Sequence, residues 1–171
     1  MMAQSNPVKA HHRPVPQAAI ELAKHFEGFH RASKEDPDRA WPYRCPAGFW
    51  TIGYGRRCAP DHPPISRSQA EVYLVQDLTT ALTATLRYCP VLAQATDNRL
   101  AAIVDFTFNL GAGRLQASTL RRRINQGQWS SAAKELQRWV YGGGKVLPGL
   151  VARREKEGLL FNHNDASLFP R

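Results

Sequence analysis

Residues 43–55 read YRCPAGFWTIGYG and carry the pattern that decides the fold. Phe49 to Tyr54 is rich in aromatic and β-branched residues, with glycines on both sides, which predicts a short hairpin strand. Upstream, Pro16 suits the first turn of a helix and Gly28 a helix stop. Between them one apolar face recurs at helical spacing, namely Ala19, Leu22, Ala23 and Phe26. The N-terminal part is therefore predicted to be one helix followed by a hairpin.

The segments on either side of the hairpin strand are interpreted as loops. The chain from Arg31 to Pro46 is polar and contains three prolines, and so does the segment from Cys58 to Ile65. Ser66 then opens a long helix, with Gln69 three residues later as in a capping box, and Pro90 closes it. A helix of this length extends about 33 Å, enough to connect two lobes.

The remainder of the chain is predicted to be helical. Thr96 and Ser118 are N-cap residues, and Gly111 and Gly127 are stops. The three glycines at 142–144 are interpreted as a flexible break. The helices are Asp97–Leu110, Thr119–Asn125, Ser131–Tyr141 and Pro148–Phe161. We expect an α+β architecture: a flexible arm (1–15), an N-terminal lobe (about 16–65), a connecting helix (about 66–89) and an all-helical C-terminal lobe (about 90–171).

Charge and cysteine content narrow the class of protein. The 23 Lys and Arg residues outnumber 14 Asp and Glu residues and give a net charge of +9. A basic protein of this kind is attracted to polyanions such as cell-wall polymer, membrane surface or nucleic acid. No zinc-finger, basic-zipper or RNP motif is present, so nucleic acid is the least favoured of these partners. The three cysteines have no metal-ligand spacing, and their odd number favours synthesis in a reducing compartment.

Several motifs together resemble the phage-type lysozymes, the endolysins of glycoside hydrolase family 24. Phe26-Glu27-Gly28-Phe29 and residues 43–55 resemble the family pattern of Glu-Gly followed by Tyr-x-Asp-Pro-x-Gly-x-x-Thr-Ile-Gly-Tyr-Gly. Residues 105–111 (DFTFNLG) and 148–155 resemble its C-terminal lobe. The similarity extends over about residues 17 to 161. It implies a lysozyme-like α+β fold and an N-acetylmuramidase without metal or cofactor.

The sequence departs from the family pattern at three places. Cys45 stands where the family has aspartate, and Arg56 where histidine commonly follows the TIGYG motif. Residues 31–40 look like an insertion between the glutamate and the hairpin. The first departure changes the chemistry available to the site, because a thiol is mostly protonated at neutral pH.

Glu27 is the predicted general acid. Glycoside hydrolysis needs a protonated carboxylic acid beside the leaving oxygen and a second group that activates water or stabilises the cationic centre. The negative end of the helix and the neighbouring Phe26 and Phe29 disfavour an ionised carboxylate at this position. Thr51 on the hairpin strand is predicted to hold the attacking water. Cys45 is predicted to replace the aspartate as a thiolate, with an idle cysteine as the alternative and a redox switch through a disulfide to Cys58 as a further one.

The resemblance also suggests substrate-binding residues. Asn109 and an arginine, Arg153 or Arg154, are carried over as cleft residues, and the arginine is expected to pair with Glu27. For each arginine a solvated basic surface is an equally good interpretation. Trp50 and Trp41, beside the hairpin, are candidates for stacking on sugars, whereas Trp129, Leu136 and Trp139 have helical spacing and are expected in the core.

The resulting functional hypothesis is a muramidase that cleaves the β-1,4 bond between N-acetylmuramic acid and N-acetylglucosamine in peptidoglycan. Two alternatives remain: a lytic transglycosylase that uses the same acid, and a non-catalytic cationic protein that binds walls or disrupts membranes. The N-terminus resembles neither a signal peptide nor an anchor. We therefore expect a monomer made in the host cytoplasm, released by a separate holin-type membrane protein, with no nucleic-acid partner.

Overall fold

A computed structural model describes residues 13–29 and 36–163. Within these ranges it contains seven α-helices and a 3₁₀ turn over Pro90–Gln94. The helices are α1 Gln17–Glu27, α2 Arg67–Tyr88, α3 Asp97–Leu110, α4 Ala112–Ala117, α5 Thr119–Asn125, α6 Trp129–Leu136 and α7 Pro148–Asn162. In the part of the chain that is described, no helix is long and apolar enough to cross a membrane.

In the described ranges, seven short strands form three small antiparallel sheets. They are β1 Arg39–Ala40, β2 Tyr43–Arg44, β3 Trp50–Ile52, β4 Arg56–Arg57, β5 Ile65–Ser66, β6 Tyr141–Gly142 and β7 Lys145–Val146. The central sheet has the order β2-β3-β4, β1 pairs with β5, and β6 pairs with β7. This mixture of helices and small sheets is the expected α+β class.

Local capping accounts for the helices whose bounds were predicted best. The Ser66 hydroxyl accepts a hydrogen bond from the Gln69 amide at 3.1 Å, and Thr96 accepts one from Arg99 at 3.3 Å. Both side chains satisfy amides that have no partner inside the helix. The 22 residues of α2 and the 14 of α3 therefore begin where the sequence predicts.

The core is centred on α3. Residues 100–104 of this helix, LAAIV, are all fully buried. A helix that is apolar all round is expected to be enclosed by others, and α3 packs against α1, α2 and α7. Leu136 is fully buried in this core, and Trp129 and Trp139 pack against it, as predicted. The division into two lobes stays a prediction; α1 contacts the C-terminal helices α3 and α7 as well as α2.

Three predicted segments differ from the structure. Residues 142–144 are part of the hairpin between β6 and β7 and not a flexible break. Gly143 and Gly144, with φ of 58° and 77°, supply the two positive angles that a tight hairpin turn needs. The helix predicted over Ser131–Tyr141 is instead α6, Trp129–Leu136, since Tyr141 pairs with Val146. The predicted loop before Pro46 contains β1 and β2, because its backbone finds partners across the fold.

The predicted N-terminal arm and the insertion at 31–40 both contact the rest of the fold through their described residues. Most of the predicted arm, residues 1–12, lies outside the described residues, but Arg13 is held by the carbonyl oxygens of Leu92 and Ala95 at 2.7 and 2.9 Å and by Asp97. Of the insertion, residues 31–35 also lie outside the described residues. Its end is tied to the start of α2, where Arg67 pairs with Asp38 at 3.1 Å.

Candidate active site

Glu27 is the last residue of α1, and its side chain is 26% exposed. Gly28 follows with φ of 68°, so the chain turns away from the helix at once and leaves the carboxyl group at the helix end. Its Oε1 accepts a hydrogen bond of 2.6 Å from Arg153 Nη1. The sequence-predicted acid therefore has one oxygen anchored at the mouth of a cavity.

Arg153 connects Glu27 to the core. Its Nε and Nη2 donate to the two carboxylate oxygens of Asp105, each at 2.8 Å, in a bidentate pair. Arg153 is 4% exposed and Asp105 is fully buried. Burial alone lowers the pKa of Arg153, but Asp105 and Glu27 outweigh it and raise that pKa above its ordinary value. The arginine is thus a permanent cation that holds α1, α3 and α7 together at Glu27.

A second buried pair lies behind the first. Arg154 Nη2 donates to Glu157 Oε1 at 2.6 Å and to Asn109 Oδ1 at 2.9 Å. Burial raises the pKa of Glu157 well above its ordinary range, and burial lowers that of Arg154. Both arginines are therefore buried, and the alternative of a solvated basic surface is wrong for each. Asp105 on α3 provides the compensating charge for Arg153, and Glu157 on α7 is the hydrogen-bond partner of Arg154.

The cavity at Glu27 has a volume of about 460 Å³. It lies between the hairpin, α2 and the end of α3, and its walls are formed by Glu27, Tyr54, Gly55, Arg56, Arg57, Asp77, Phe108 and Asn109. A smaller hollow of about 190 Å³ shares Asp77 and Phe108 with it and continues between α2 and α4. The two hollows are thus neighbours along α2, and the Glu27 carboxyl group lies at the wall of the larger one.

Asp77 is a second carboxylate in this cavity that sequence reasoning missed. It lies on α2, 3.8 Å from Arg56 Nη1. Burial raises the pKa of Asp77, and the attraction of Arg56 offsets only part of this effect. Its sequence environment is that of an ordinary exposed helix residue, so no local signal marks it. Only the packing of α2 against the hairpin brings it to the cavity.

Two glycines of the TIGYG motif are needed for different reasons, Gly53 for close packing and Gly55 for its positive φ. A Cβ atom at Gly53 would lie 2.8 Å from Ala70 Cβ on α2, so a side chain there would push the hairpin away from the helix. Gly55 has φ of 85°, and its Cβ would lie 3.6 Å from Glu27 Oε2. The motif thus brings the hairpin backbone beside the oxygen of Glu27 that Arg153 does not hold.

The register of the central sheet places Thr51 and Cys45 on one face. Thr51 pairs with Tyr43 on β2 and with Arg57 on β4, and side chains directly opposite each other share a face. Cys45 is two residues beyond Tyr43 and lies on that face too. Of this face Arg57 lines the cavity with Glu27, whereas neither Thr51 nor Cys45 is among the described residues that line it. Thr51 is 5% exposed, and its hydroxyl donates to the Tyr43 carbonyl oxygen at 3.4 Å.

A disulfide between Cys45 and Cys58 does not fit this sheet. The Cys45 amide bonds to Phe49 and the Cys58 amide to Trp50, so the cysteines flank β3 on opposite sides. Two strand spacings separate them by about 9–10 Å, beyond the roughly 7 Å that a disulfide spans between Cα atoms. They also lie on opposite faces, because their partners are consecutive residues. All three cysteines are free thiols, and the redox-switch hypothesis is wrong for this pair.

Of the other predicted binding residues, Asn109 lies at the cavity and the two tryptophans do not. Asn109 lines the cavity, with its amide oxygen held by Arg154. Trp50 lies on the sheet face opposite Thr51, under Arg44, and is not among the described residues that line the cavity. Trp41 is 38% exposed and does not line it either. A larger hollow of about 610 Å³ between α6 and α7 lies away from all of these residues.

A family model and the relatives found by sequence comparison agree that the chain is similar to phage lysozymes and endolysins. The family model described as Phage lysozyme matches residues 24–157. An endolysin of Bacillus phage B103 is 37% identical over 150 residues, which cover 86% of this chain and 53% of that protein. The chain thus spans about half the length of this relative and of the similar endolysin of Bacillus phage PZA.

Two solved structures resemble the fold over nearly their whole length. The endolysin from Escherichia coli O157:H7 phage FAHEc1 has a TM-score of 0.75 and 28% identity, covering 94% of this chain and 98% of that one. The muramidase domain of SpmX from Asticaccaulis excentricus has a TM-score of 0.72 and 29% identity, covering 88% and 99%. The lysozyme-like architecture is therefore confirmed.

Proposed function

The chain belongs to the phage lysozyme family, and on that premise we propose that it is an endolysin muramidase. Its substrate would be peptidoglycan, cleaved at the β-1,4 bond between N-acetylmuramic acid and N-acetylglucosamine. The observation that carries this proposal is the carboxyl group of Glu27, anchored by Arg153 at the wall of a groove that also contains Asn109. The names of the similar proteins, endolysin and muramidase, support it.

In the proposed mechanism Glu27 donates its proton to the glycosidic oxygen as the bond to the anomeric carbon breaks. Arg153 donates to Oε1, so Oε2, the oxygen nearest Gly55, is the atom that carries the proton. Water attacks the anomeric carbon from the side of the sheet and loses its own proton to a base. Orientation of the acid by a buried bidentate arginine reduces the motion that must be frozen in the transition state.

The base is assigned to the sheet face that holds Thr51 and Cys45. Thr51 would position the water, and the Cys45 thiolate would accept its proton. Cys45→Asp should then keep substantial activity, because a carboxylate is a base at neutral pH. Cys45→Ala should lose activity, though less than a variant without the acid. Full activity of Cys45→Ala with reductant present would make the thiol a bystander.

The deciding experiment compares Glu27→Gln with Glu21→Gln. Both replace a glutamate of α1 by its neutral isostere, but Glu21 lies away from the cavity and bonds to Gln17 at 2.7 Å. Without the proton donor, release of reducing ends from purified peptidoglycan should fall by at least 100-fold, while Glu21→Gln stays near wild type. Activity of Glu27→Gln above a tenth of wild type would refute the assignment.

Two further measurements on the same proteins, product masses and cell lysis, separate the alternatives. A lytic transglycosylase would release anhydro-muropeptides lighter by one water, which mass spectrometry distinguishes from hydrolysis products. The absence of a carboxylate at Cys45 is the observation that favours this reading. If the protein is instead a non-catalytic cationic protein, its Glu27→Gln variant would still lyse cells. Anhydro products would contradict hydrolysis, and lysis by Glu27→Gln would contradict the role of Glu27.

We further propose that the protein reaches the wall after release by a separate holin-type membrane protein and acts as a monomer. The net charge of +9 would speed its encounter with anionic wall material. Lysis of permeabilised cells should then fall as salt rises, because exposed charges are screened within about 8–10 Å at physiological ionic strength. A flat salt profile, with the fold intact, would remove this steering role.

A further inference from the structure

Arg57 is the cavity residue whose charge the described part of the chain leaves uncompensated. Its neighbour Arg56 pairs with Asp77 at 3.8 Å and donates a hydrogen bond to Gln76 Oε1 at 2.9 Å. Arg57 takes part in none of the ion pairs or side-chain hydrogen bonds of the described residues, yet it lines the same cavity as Glu27. A guanidinium in such a position is free to bind an anion.

The side chain of Arg57 is held ready for binding. Its guanidinium lies over the ring of Phe49, with its carbon 3.7 Å from the ring centroid. A cation–π contact uses the flat face of a guanidinium and leaves the N–H groups at its edge available to a ligand. A planar edge of this kind matches a carboxylate in a bidentate arrangement.

The charges around the cavity make an anionic ligand favourable. Asp105 neutralises Arg153, and Asp77 neutralises Arg56. Once Glu27 carries its catalytic proton, the charge of Arg57 has no counterpart in the cavity. Cys45, on the same sheet face, also contributes no carboxylate.

We propose that Arg57 binds a carboxylate of the glycan strand and thereby selects carboxylate-bearing glycans over neutral ones. The inference rests on the proposed function, because it assumes that the cavity receives peptidoglycan. Two sources supply such a group: the lactyl carboxylate of a peptide-free muramic acid residue, and the carboxylates of the attached peptide. The shared chemistry is a carboxylate next to the sugar that occupies the cavity.

The test measures binding, so that it does not depend on cleavage. Calorimetric titrations use Glu27→Gln protein, with and without Arg57→Gln, against peptide-free glycan strands, peptide-bearing strands and chitohexaose, which has no carboxylate. Arg57→Gln should raise the Kd for at least one carboxylate-bearing strand by about tenfold or more, and for chitohexaose by less than about twofold. Arg57→Lys should show an intermediate loss, since an ammonium cannot bind both oxygens in the same plane.

Arg87→Gln is the matched control. Arg87 is also exposed and lies near an aromatic ring, with its guanidinium carbon 5.7 Å from the centroid of Tyr88, but it is at the far end of α2. The substitution Arg87→Gln removes the same charge as Arg57→Gln and should leave the Kd for each of the three ligands unchanged. Thermal melting of each variant checks the fold.

The outcomes separate this inference from the proposed function. The strand type that loses affinity identifies the source of the carboxylate. An equal loss for all three ligands, no loss for either carboxylate-bearing strand, an equal loss in Arg87→Gln, or no binding of those strands at all would overturn the inference. Release of reducing ends by the wild type, assayed separately, decides the proposed function whatever the titrations show.

Discussion

The substitution Asp105→Asn isolates the contribution of the buried arginine network. It keeps the shape of the side chain but replaces one carboxylate oxygen by an N–H donor that faces the donors of Arg153. In the wild type both oxygens of Asp105 accept hydrogen bonds of 2.8 Å from that arginine. The variant would leave a buried guanidinium with Glu27 at 2.6 Å and Glu157 at 4.0 Å as its remaining carboxylate partners.

The expected magnitude follows from the burial of the pair. Removing one member of a buried ion pair costs about 3–5 kcal/mol, because the remaining charge cannot return to water. For a chain of this size each kcal/mol lowers Tm by about 2–4 °C, so the expected drop is about 6–20 °C. Turnover below the melting range should also fall, since Arg153 positions the acid.

Circular dichroism melts at pH 7 provide the assay, with Asp97→Asn as the control. Asp97 also pairs with an arginine, Arg13, but its side chain is 78% exposed, so its loss should cost less than about 1 kcal/mol. A Tm drop for Asp105→Asn no larger than that for Asp97→Asn would refute the assigned role of the buried pair.

Three further outcomes are expected. Because burial raises the pKa of Asp77, its ionised form penalises folding above a pH of about 4. Asp77→Asn should therefore raise Tm at pH 7 and lose this advantage at pH 3. A larger gain in Tm at pH 3 than at pH 7 would contradict the predicted effect of Asp77 ionisation on stability. Burial raises the pKa of Cys89 to about 12, so intact-mass analysis after alkylation at pH 8 should show two modified thiols in the native protein and three only after unfolding. Gly55→Ala should lower turnover and cost about 1–3 kcal/mol of stability, since it strains a positive φ and places a methyl group beside Glu27; unchanged melting and activity would show that the motif glycine is dispensable.

Sequence reasoning succeeded where a structure depends on neighbouring residues. The starts of α2, α3 and α5 follow from Ser66, Thr96 and Ser118, each of which caps the amide three residues later. The end of α1 at Glu27 follows from Gly28. Sequence reasoning also predicted the strand that became β3, but it missed the two-residue strands, including the hairpin at 142–144, because such strands are stabilised by partners elsewhere and have no periodicity of their own.

The place of Glu27 at a helix end and the glycine-rich hairpin were predicted from the sequence alone, because each depends on local chemistry that a short motif contains. The tertiary structure decided which charges surround Glu27. Arg153 lies 126 residues after Glu27, and Asp77 reaches the cavity only because α2 packs against the hairpin. The same holds for the two cysteines, which sheet register separates. A buried charge must find its partner in space, and that partner is fixed by the packing of helices and not by distance along the chain.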